Sequence, residues 1–433
     1  MSIPTLQGLQ TALSGLIAQQ DAIDVTGNNI TNANTEGYSR QTAVLQTKEP
    51  LHIAALSAVT GEGGQLGTGV TVATITRIRN TYLDAAYREH ATAAGAAGAQ
   101  AEELQQAQAA FNEPSSTGLA SQLSAFWSSW GELAVSPEEA AKVGVVGAAT
   151  QLTGTLHQLA AQLHSLEGQA SAQYAAITGP TGEVASDAAQ IAELNHQIKL
   201  SLAAHAQPNE LEDHRDLLID KLSALASVTV TKEADGTDTV TLGNAALPLV
   251  EGSTAHWPQA LTAAAGGKLG ALLELSSPTG ALASYGAALD EVAKTLVDSV
   301  NELHTATPFF KGTTAATIEV AVAPGEVQAS SEKASGGNNV ALAIAGLRGG
   351  AADQHYAALV AQVGAGVQNA TTNQTNSQAV LAAVSNQRQS VSGVSLDEEM
   401  TNLITFQRGY QASAQALNVM NEMLNTLINQ SGL

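Results

Sequence analysis

The chain has 433 residues, room for about three domains of ordinary size. Hydrophobic residues make up 44% of it and aromatic ones 3%, so the apolar content is mostly Ala, Leu and Val, which favours closely packed helices. A formal net charge of -22, from 17 Lys and Arg against 39 Asp and Glu, argues against a nucleic-acid or membrane partner held by basic patches, and the lack of cysteine excludes disulfides, thiolate metal sites and Cys nucleophiles.

The N-terminus, MSIPTLQGLQ, has neither the basic region nor the apolar stretch of a cleavable secretory signal, and no run of about 18 apolar residues follows anywhere. Cleavable-signal secretion is only one way out of a cell, so this alone does not fix a compartment. A three-four alternation then runs through Leu6, Leu9, Leu13, Leu16, Gln20, Ile23, Gly27 and Ile30, with Gln20 and Gly27 breaking an otherwise apolar seam. This is heptad spacing, and it predicts a long helix in search of a helical partner. Asn34 to Gly37 reads as the helix stop and turn, since Asn and Gly adopt left-handed backbone most easily.

Tyr38–Lys48 and Gly69–Arg77 alternate with β-branched residues around the turn-rich GEGGQLGTG and predict a small extended pair. Helices are predicted at 79–112, 116–135, 137–166, 168–205 and 209–226, with Gly179, Pro180 and Gly182 interrupting the fourth and Pro208 separating the last two. Trp127 and Trp130, three apart on one face, read as core packing. The stretch VTVTKEADGTDTVTLG gives two alternating runs about an acidic glycine turn, a compact β element. A helix follows at Leu282–Ala306, a strand at Thr317–Val322 and a surface loop at SSEKASGGNNV. From about residue 353 the chain reads helical to its end with a break near SVSGVSL. A second heptad seam runs through Leu396, Glu399, Leu403, Phe406, Tyr410, Ser413, Leu417, Met420, Leu424 and Leu427, and the first seam is its economical partner.

Nucleotide-binding, metalloprotease and serine-hydrolase motifs are all missing. His157 and His164 are two helical turns apart, about 10 Å, too far to share a metal. Glu210, Glu212, Asp213 and Asp216 beside His214 and Arg215 read as a charged helix start, favoured by the helix dipole and with Arg215 pairing locally, rather than as acid/base machinery.

NNITNANTEGYSRQ, residues 28–41, resembles the N-terminal signature of the flagellar axial proteins, and GYSRQ is similar to its form in the hook-associated protein 1 (FlgK) family. The C-terminal stretch 390–429, with LDEE, FQRGYQASA and EMLNTLIN in order, resembles the other end of that family, and Thr117–Pro137 and Pro208–Leu225 agree as well. Two departures stand out. Thr35, Glu36, Gly37 and Tyr38 stand where relatives often carry TPGY, and the middle of the chain is shorter than in many of them.

The resemblance implies a mainly α protein with an inserted small β-rich domain, long terminal helices forming a coiled-coil-like pair and a helical-bundle middle. Its domains would be 1–36 with 394–433 for polymerisation, 37–226 with 340–393 as an α-helical bundle with a small β pair, and 227–339 as a shortened β-rich outer insertion with one helix. It implies a structural subunit of the bacterial flagellum forming the hook-filament junction, needed for filament assembly and motility, with no catalysis, cofactor or metal. The implied partners are copies of itself in a helical lattice, the hook protein, the second junction protein (hook-associated protein 3) and an export chaperone on the C-terminal helix, with no nucleic acid and no membrane. Delivery would be through the type III flagellar export apparatus, without a cleavable signal peptide, to an extracellular position. The expected subunit-packing residues are Leu6, Leu9, Leu13, Leu16, Ile23, Ile30, Leu403, Phe406, Tyr410, Leu417, Met420, Leu424 and Leu427. Asn28, Asn29, Asn32, Asn34, Gly37, Tyr38 and Arg40 form the expected register and turn motif, in which Asn28 and Asn32, one turn apart, would exchange amide hydrogen bonds between helices. A frayed helix end with solvated amides is the bland alternative. Another axial protein, or a secreted coiled-coil scaffold, are the competing functions.

Overall fold

The computed structural model describes residues 3–53, 64–331 and 336–430. It is mainly helical with a few small sheets, and both chain ends are long helices. Helix α1 (Ile3–Thr31) leads through turns into strand β1 (Gln41–Thr47), which pairs antiparallel with β4 (Val70–Arg77), while β2 (Leu51–Ile53) and β3 (Gly64–Leu66) form a second short pair. The turn before β1 closes with Tyr38 N–H donating to Thr35 O at 3.2 Å, and Gly37 takes φ +81 there. An L side chain strains at that φ, and a Cβ would meet Leu217 at 3.1 Å, so the glycine is required twice over.

Four helices follow: α2 (Thr81–Phe111), α3 (Leu119–Val135), α4 (Glu139–Thr178) and α5 (Glu183–Ala203). The sequence reading broke the third near residue 167; the structure carries it through Gly168 unbroken and breaks it at Gly179–Gly182. One exposed glycine costs a helix only about 1 kcal/mol, whereas the Gly-Pro pair removes a donor and fixes a turn. Helix α6 (Asn209–Leu225) leads into a four-stranded sheet in sequential order: β5 (Val228–Lys232), β6 (Asp238–Leu242), β7 (Val250–Glu251) and β8 (Thr254–Ala255). Then come α7 (Gly267–Leu275), which sequence reading missed, α8 (Ala281–Leu303), β9 (Phe310–Lys311) with its partner β10 (Glu319–Val320), α9 (Asn339–Ala345), α10 (Ala351–Ser392) and α11 (Leu396–Gln430). The strand expected at Thr317–Val322 is thus two residues long, and residues 332–335 of the expected surface loop lie outside the described residues.

Two apolar cores result. The larger joins α2, α3, α4, α7, α8, α9 and α10 around Phe126, Trp127, Trp130, Phe309 and Phe310, whose rings meet edge-on or tilted at 4.7–6.3 Å. Trp127 Nε1 donates to Asp353 at 2.9 Å, tying α3 to α10. The smaller core packs the sheet on α5 and α6 through Val184, Ile191, Ile219, Leu222, Val240 and Leu269. Residues 227–339 therefore do not form one outer insertion: the sheet belongs to the smaller core and α8 to the larger. Helix α8 carries apolar residues at 282, 285, 289, 292, 296 and 300, a stripe that the bundle buries completely or nearly so.

A candidate assembly surface and its anchoring

Helices α1 and α11 pack antiparallel against each other. A Cβ at Gly8 would come within 2.9 Å of Met420 Cε, one at Gly15 within 3.0 Å of Ser413 Oγ, and one at Gly409 within 2.8 Å of Gln19. Asn29 reaches Glu399. Each step forward on α1 is matched by an equal step back on α11, so the register holds over the whole overlap. On α1 the contacting face is a row of small residues with a seven-residue step, Gly8, Gly15, Ala22 and Asn29, flanked by buried Ala12, Ala18 and Val25. The predicted leucine seam lies beside it. Leu9, Leu16, Ile23 and Ile30 are half-buried and Leu13 is 43% exposed, as is Ile17 at 49%. The side chains of Leu6 and Leu427 lie outside the described residues.

On α11, Leu403, Phe406, Tyr410, Leu417, Met420 and Leu424 are all half-buried, and Met420 meets Gly8 of the small row. A second row, Leu396, Met400, Ile404, Val419 and Met423, is 49–55% exposed. Small residues on one helix let the backbones approach closely, so a thin two-helix rod buries little more than the seam itself.

The asparagines divide the work differently from the sequence expectation. Asn28 and Asn32 bond to one another within one helix, Nδ2 of Asn32 to Oδ1 of Asn28 at 2.6 Å, and Asn28 reaches Glu210 at 3.2 Å. Helical side chains one turn apart satisfy each other before they reach a neighbour. Asn29, 1% exposed, is the one that crosses between helices. Its Nδ2 donates to Glu399 Oε2 and to Gln41 O at 2.9 Å each, while its Oδ1 accepts from Tyr38 O–H at 2.8 Å and Gln41 N–H at 2.9 Å. Every hydrogen-bonding valence of the amide is filled, joining α1, β1 and α11 at one point. Tyr38 is held well above the ordinary phenol pKa by burial and by the carboxylates of Asp213, Glu210 and Glu399, so it stays a donor. Glu399, an apparent flaw in the C-terminal seam, is buried because Asn29 meets it. Asn34 is exposed in the turn. Arg40 pairs with Glu398, and its backbone N–H donates to Ser392 O at 2.9 Å, at the break between α10 and α11.

The acidic run of α6 proves to be the mount of this rod. Asp213, Asp216 and Asp220 share one face, and four arginines from elsewhere converge on them. Arg77, at the end of β4, binds Glu212, Asp213 and Asp216 at 2.6–2.9 Å. Arg79 bridges Asp84 at 2.8 Å and Asp216 at 3.0 Å, and Arg88 of α2 bridges Asp220 at 2.7 Å and Asp216 at 3.3 Å. Arg388 of α10 reaches Asp84 at 2.9 Å and Asp220 at 2.6 Å and lies over the Tyr87 ring. Ser39 N–H donates to Asp213 at 2.9 Å. Burial would raise the Asp216 carboxyl, but Arg79, Arg77 and Arg88 together hold it down to about 2. A cleft of about 830 Å³ opens beside the cluster, between β4 and β5. The expected local pairing of Arg215 is corrected: it points to the opposite side of α6, 2% exposed, and binds Asp238 of β6 at 3.1 Å and Asn195 at 2.9 Å. Helix α6 is covered on two sides, so its charged stripes serve two layers rather than a solvated start.

His157 Nε2 donates to Ile318 O at 2.7 Å, and His164 is exposed beside Glu167. Among the described residues, no group of three or more His, Asp or Glu side chains could hold a metal, and no helix is long and apolar enough to cross a membrane.

Comparison with known proteins adds three family matches: Flagellar hook-associated protein FlgK helical domain over residues 104–263, Flagellar basal body rod FlgEFG protein C-terminal over 385–430, and Flagella basal body rod protein over 9–38. The Flagellar hook-associated protein 1 of Bacillus subtilis is 29% identical over 99% of this chain and 99% of its own length. That of Escherichia coli is 30% identical over 57% of this chain, which spans 44% of the longer protein. A solved flagellar hook junction protein FlgK from Burkholderia pseudomallei overlaps 51% of this chain and 43% of its own, at 23% identity and a TM-score of 0.44. The two rod-type matches fall on the paired terminal helices and the helical-domain match on the region between them, so the chain is similar to the flagellar hook-associated protein 1 family along its length.

Proposed function

We propose that the chain is a structural subunit of the flagellum that builds the junction between hook and filament. The observation that carries this is the α1–α11 pair: the large apolar residues of its α11 side are only half-buried, and a further row from Leu396 to Met423 is about half exposed. A soluble chain keeps such rows covered by identical or related neighbours. Residues 1–36 with 394–433 then act as the polymerising unit, and Leu9, Leu13, Leu16, Ile23, Ile30, Leu403, Phe406, Tyr410, Leu417, Met420 and Leu424 supply contacts to copies of this chain, to hook protein on one side and to the second junction protein on the other. The same exposed apolar row on α11 suits an export chaperone before assembly. The export apparatus would then deliver the subunit to the outside of the cell.

The rod-type matches at both ends suit any axial protein, so a hook or rod subunit is the second reading. The helical-domain match over 104–263 favours the hook-associated one. Immunogold electron microscopy decides between them: label confined to the hook-filament boundary is expected, and label along the hook or within the basal body would overturn the assignment. A chain ended at Ser390 is expected to lose chaperone binding while its bundle stays folded, and unchanged binding would place the chaperone elsewhere.

A further inference from the structure

The rod and the bundle share no apolar core. Neither cluster of buried apolar residues contains a side chain from α1, β1, β4 or α11. The chain crosses between the two parts at residues 78–80 and at Gly393, and around those crossings the contacts are mainly polar: Arg77, Arg79, Arg88 and Arg388 on the carboxylates of α6 and Asp84, Arg40 on Glu398, Ser39 on Asp213, Asn28 on Glu210 and Asn209 on Ile75 O at 2.9 Å. Apolar packing tolerates sliding, because its energy depends on area and hardly on direction. Charge-assisted, multiply shared arginine bonds do not, because donor forks and carboxylates must meet at set angles.

We propose that the arginine-carboxylate cluster on α6 is an orienting joint that sets the angle of the α1–α11 rod on the bundle, with Arg388 as its latch. Arg388 lies just over one helical turn before the Gly393 break and is the only one of the four arginines carried by the helix that leads into α11. Its two bonds to Asp84 and Asp220 fix the end of α10 against α2 and α6, and so fix where α11 departs. A polar network that specifies geometry more than it adds stability is the behaviour expected of buried ion pairs, which gain little over an apolar isostere but penalise every misalignment. The inference concerns the subunit alone and does not depend on where in the flagellum it sits.

The native chain has no cysteine, so two can be placed freely: Gln407→Cys on the exposed side of α11 and Thr150→Cys on the exposed side of α4. Spin labels at these sites, read by pulsed electron resonance on the full-length protein, are expected to give one narrow distance distribution. Arg388→Gln is expected to broaden it at least twofold while the near-UV circular dichroism of the bundle tryptophans stays unchanged. Asp220→Asn breaks the same contact from the other side and is expected to do the same. A narrow distribution in either variant, or broadening that appears only together with loss of the tryptophan signal, would overturn the proposal.

Discussion

The bundle and the terminal rod are written in much the same sequence code and end in different states. Both show apolar residues at three-four spacing. In the bundle, Trp130, Leu152, Leu156 and Leu289 have no exposed surface, whereas Glu399 is the one fully buried side chain among the described residues of α11. Periodicity thus reports that a helix has a partner but not that the partner is in the same chain. The bundle closes its own core; the rod closes one seam and leaves the next open.

The sharpest test of this contrast is a large-to-small change in each region. Trp130→Ala removes a fully buried ring system and is expected to cost about 3–5 kcal/mol of bundle stability, measured by urea unfolding. A loss below about 1 kcal/mol would mean that the bundle core is not as closed as its burial says. Asn29→Ala comes next. It strands the buried Glu399 carboxylate and the Gln41 backbone, at about 1–3 kcal/mol, and the damage should appear as faster hydrogen exchange in α1 and α11 with the bundle's melting little changed. A drop in bundle melting of the same size would show that rod and bundle unfold as one.

Acid probes the joint between the two regions. The Asp216 carboxyl is depressed from its ordinary 3.8 to about 2, so the folded state binds that proton less readily than the unfolded one. Its contribution is fully present above about pH 4 and is lost as pH falls through about 2. Asp216→Asn should flatten that part of the stability curve, and an unchanged acid limb would remove Asp216 from the account. The smallest effect on the isolated chain is expected from Leu403, Tyr410 and Leu417 changed together to Ser, because all three are only half-buried there. Bundle melting should scarcely move. In the assembly each lost burial would cost on the order of 1.5–3 kcal/mol, and cells with the triple variant are expected to make hooks without filaments and to release filament subunits. Normal swimming in those cells would show that the assembly surface has been misplaced.

Much of this was legible in the sequence. The two terminal helices, the β1–β4 pair, the bundle helices and the break before α11 follow from periodicity and from Gly and Pro placement. The C-terminal seam was legible as a row of large apolar residues, and its Met420 meets Gly8 of α1. Its counterpart on α1 was not, because Gly8, Gly15 and Ala22 carry no hydrophobic signal; their seven-residue step was the available clue. Asn29 could not be told from Asn28 or Asn32 without knowing which way the helix faces. Nor could the arginine cluster be assembled in advance, since Arg388 is far in the chain from Arg77 and Arg88, all of them are far from α6, and only the spacing of Asp213, Asp216 and Asp220 hinted that one face of α6 awaited cations. The outer insertion failed for a related reason: β-rich composition shows where strands lie but not which helices cover them.

The small-residue row of α1 makes the rod nearly blind to its own length. Because Gly8, Gly15 and Ala22 repeat every seven residues and α11 answers with the same period, sliding one helix past the other by one repeat, about 10 Å, sets small against large again almost everywhere. Apolar contact therefore cannot tell the native alignment from its neighbour one notch away. Asn29 can, since a slide of one repeat in one direction sets Glu399 against Ala22 and in the other sets the amide against Phe406, and either strands a buried polar group at about 1–3 kcal/mol. A single amide serves as the detent of an otherwise smooth slide, and a pull along the helix axis would have to overcome that contact first.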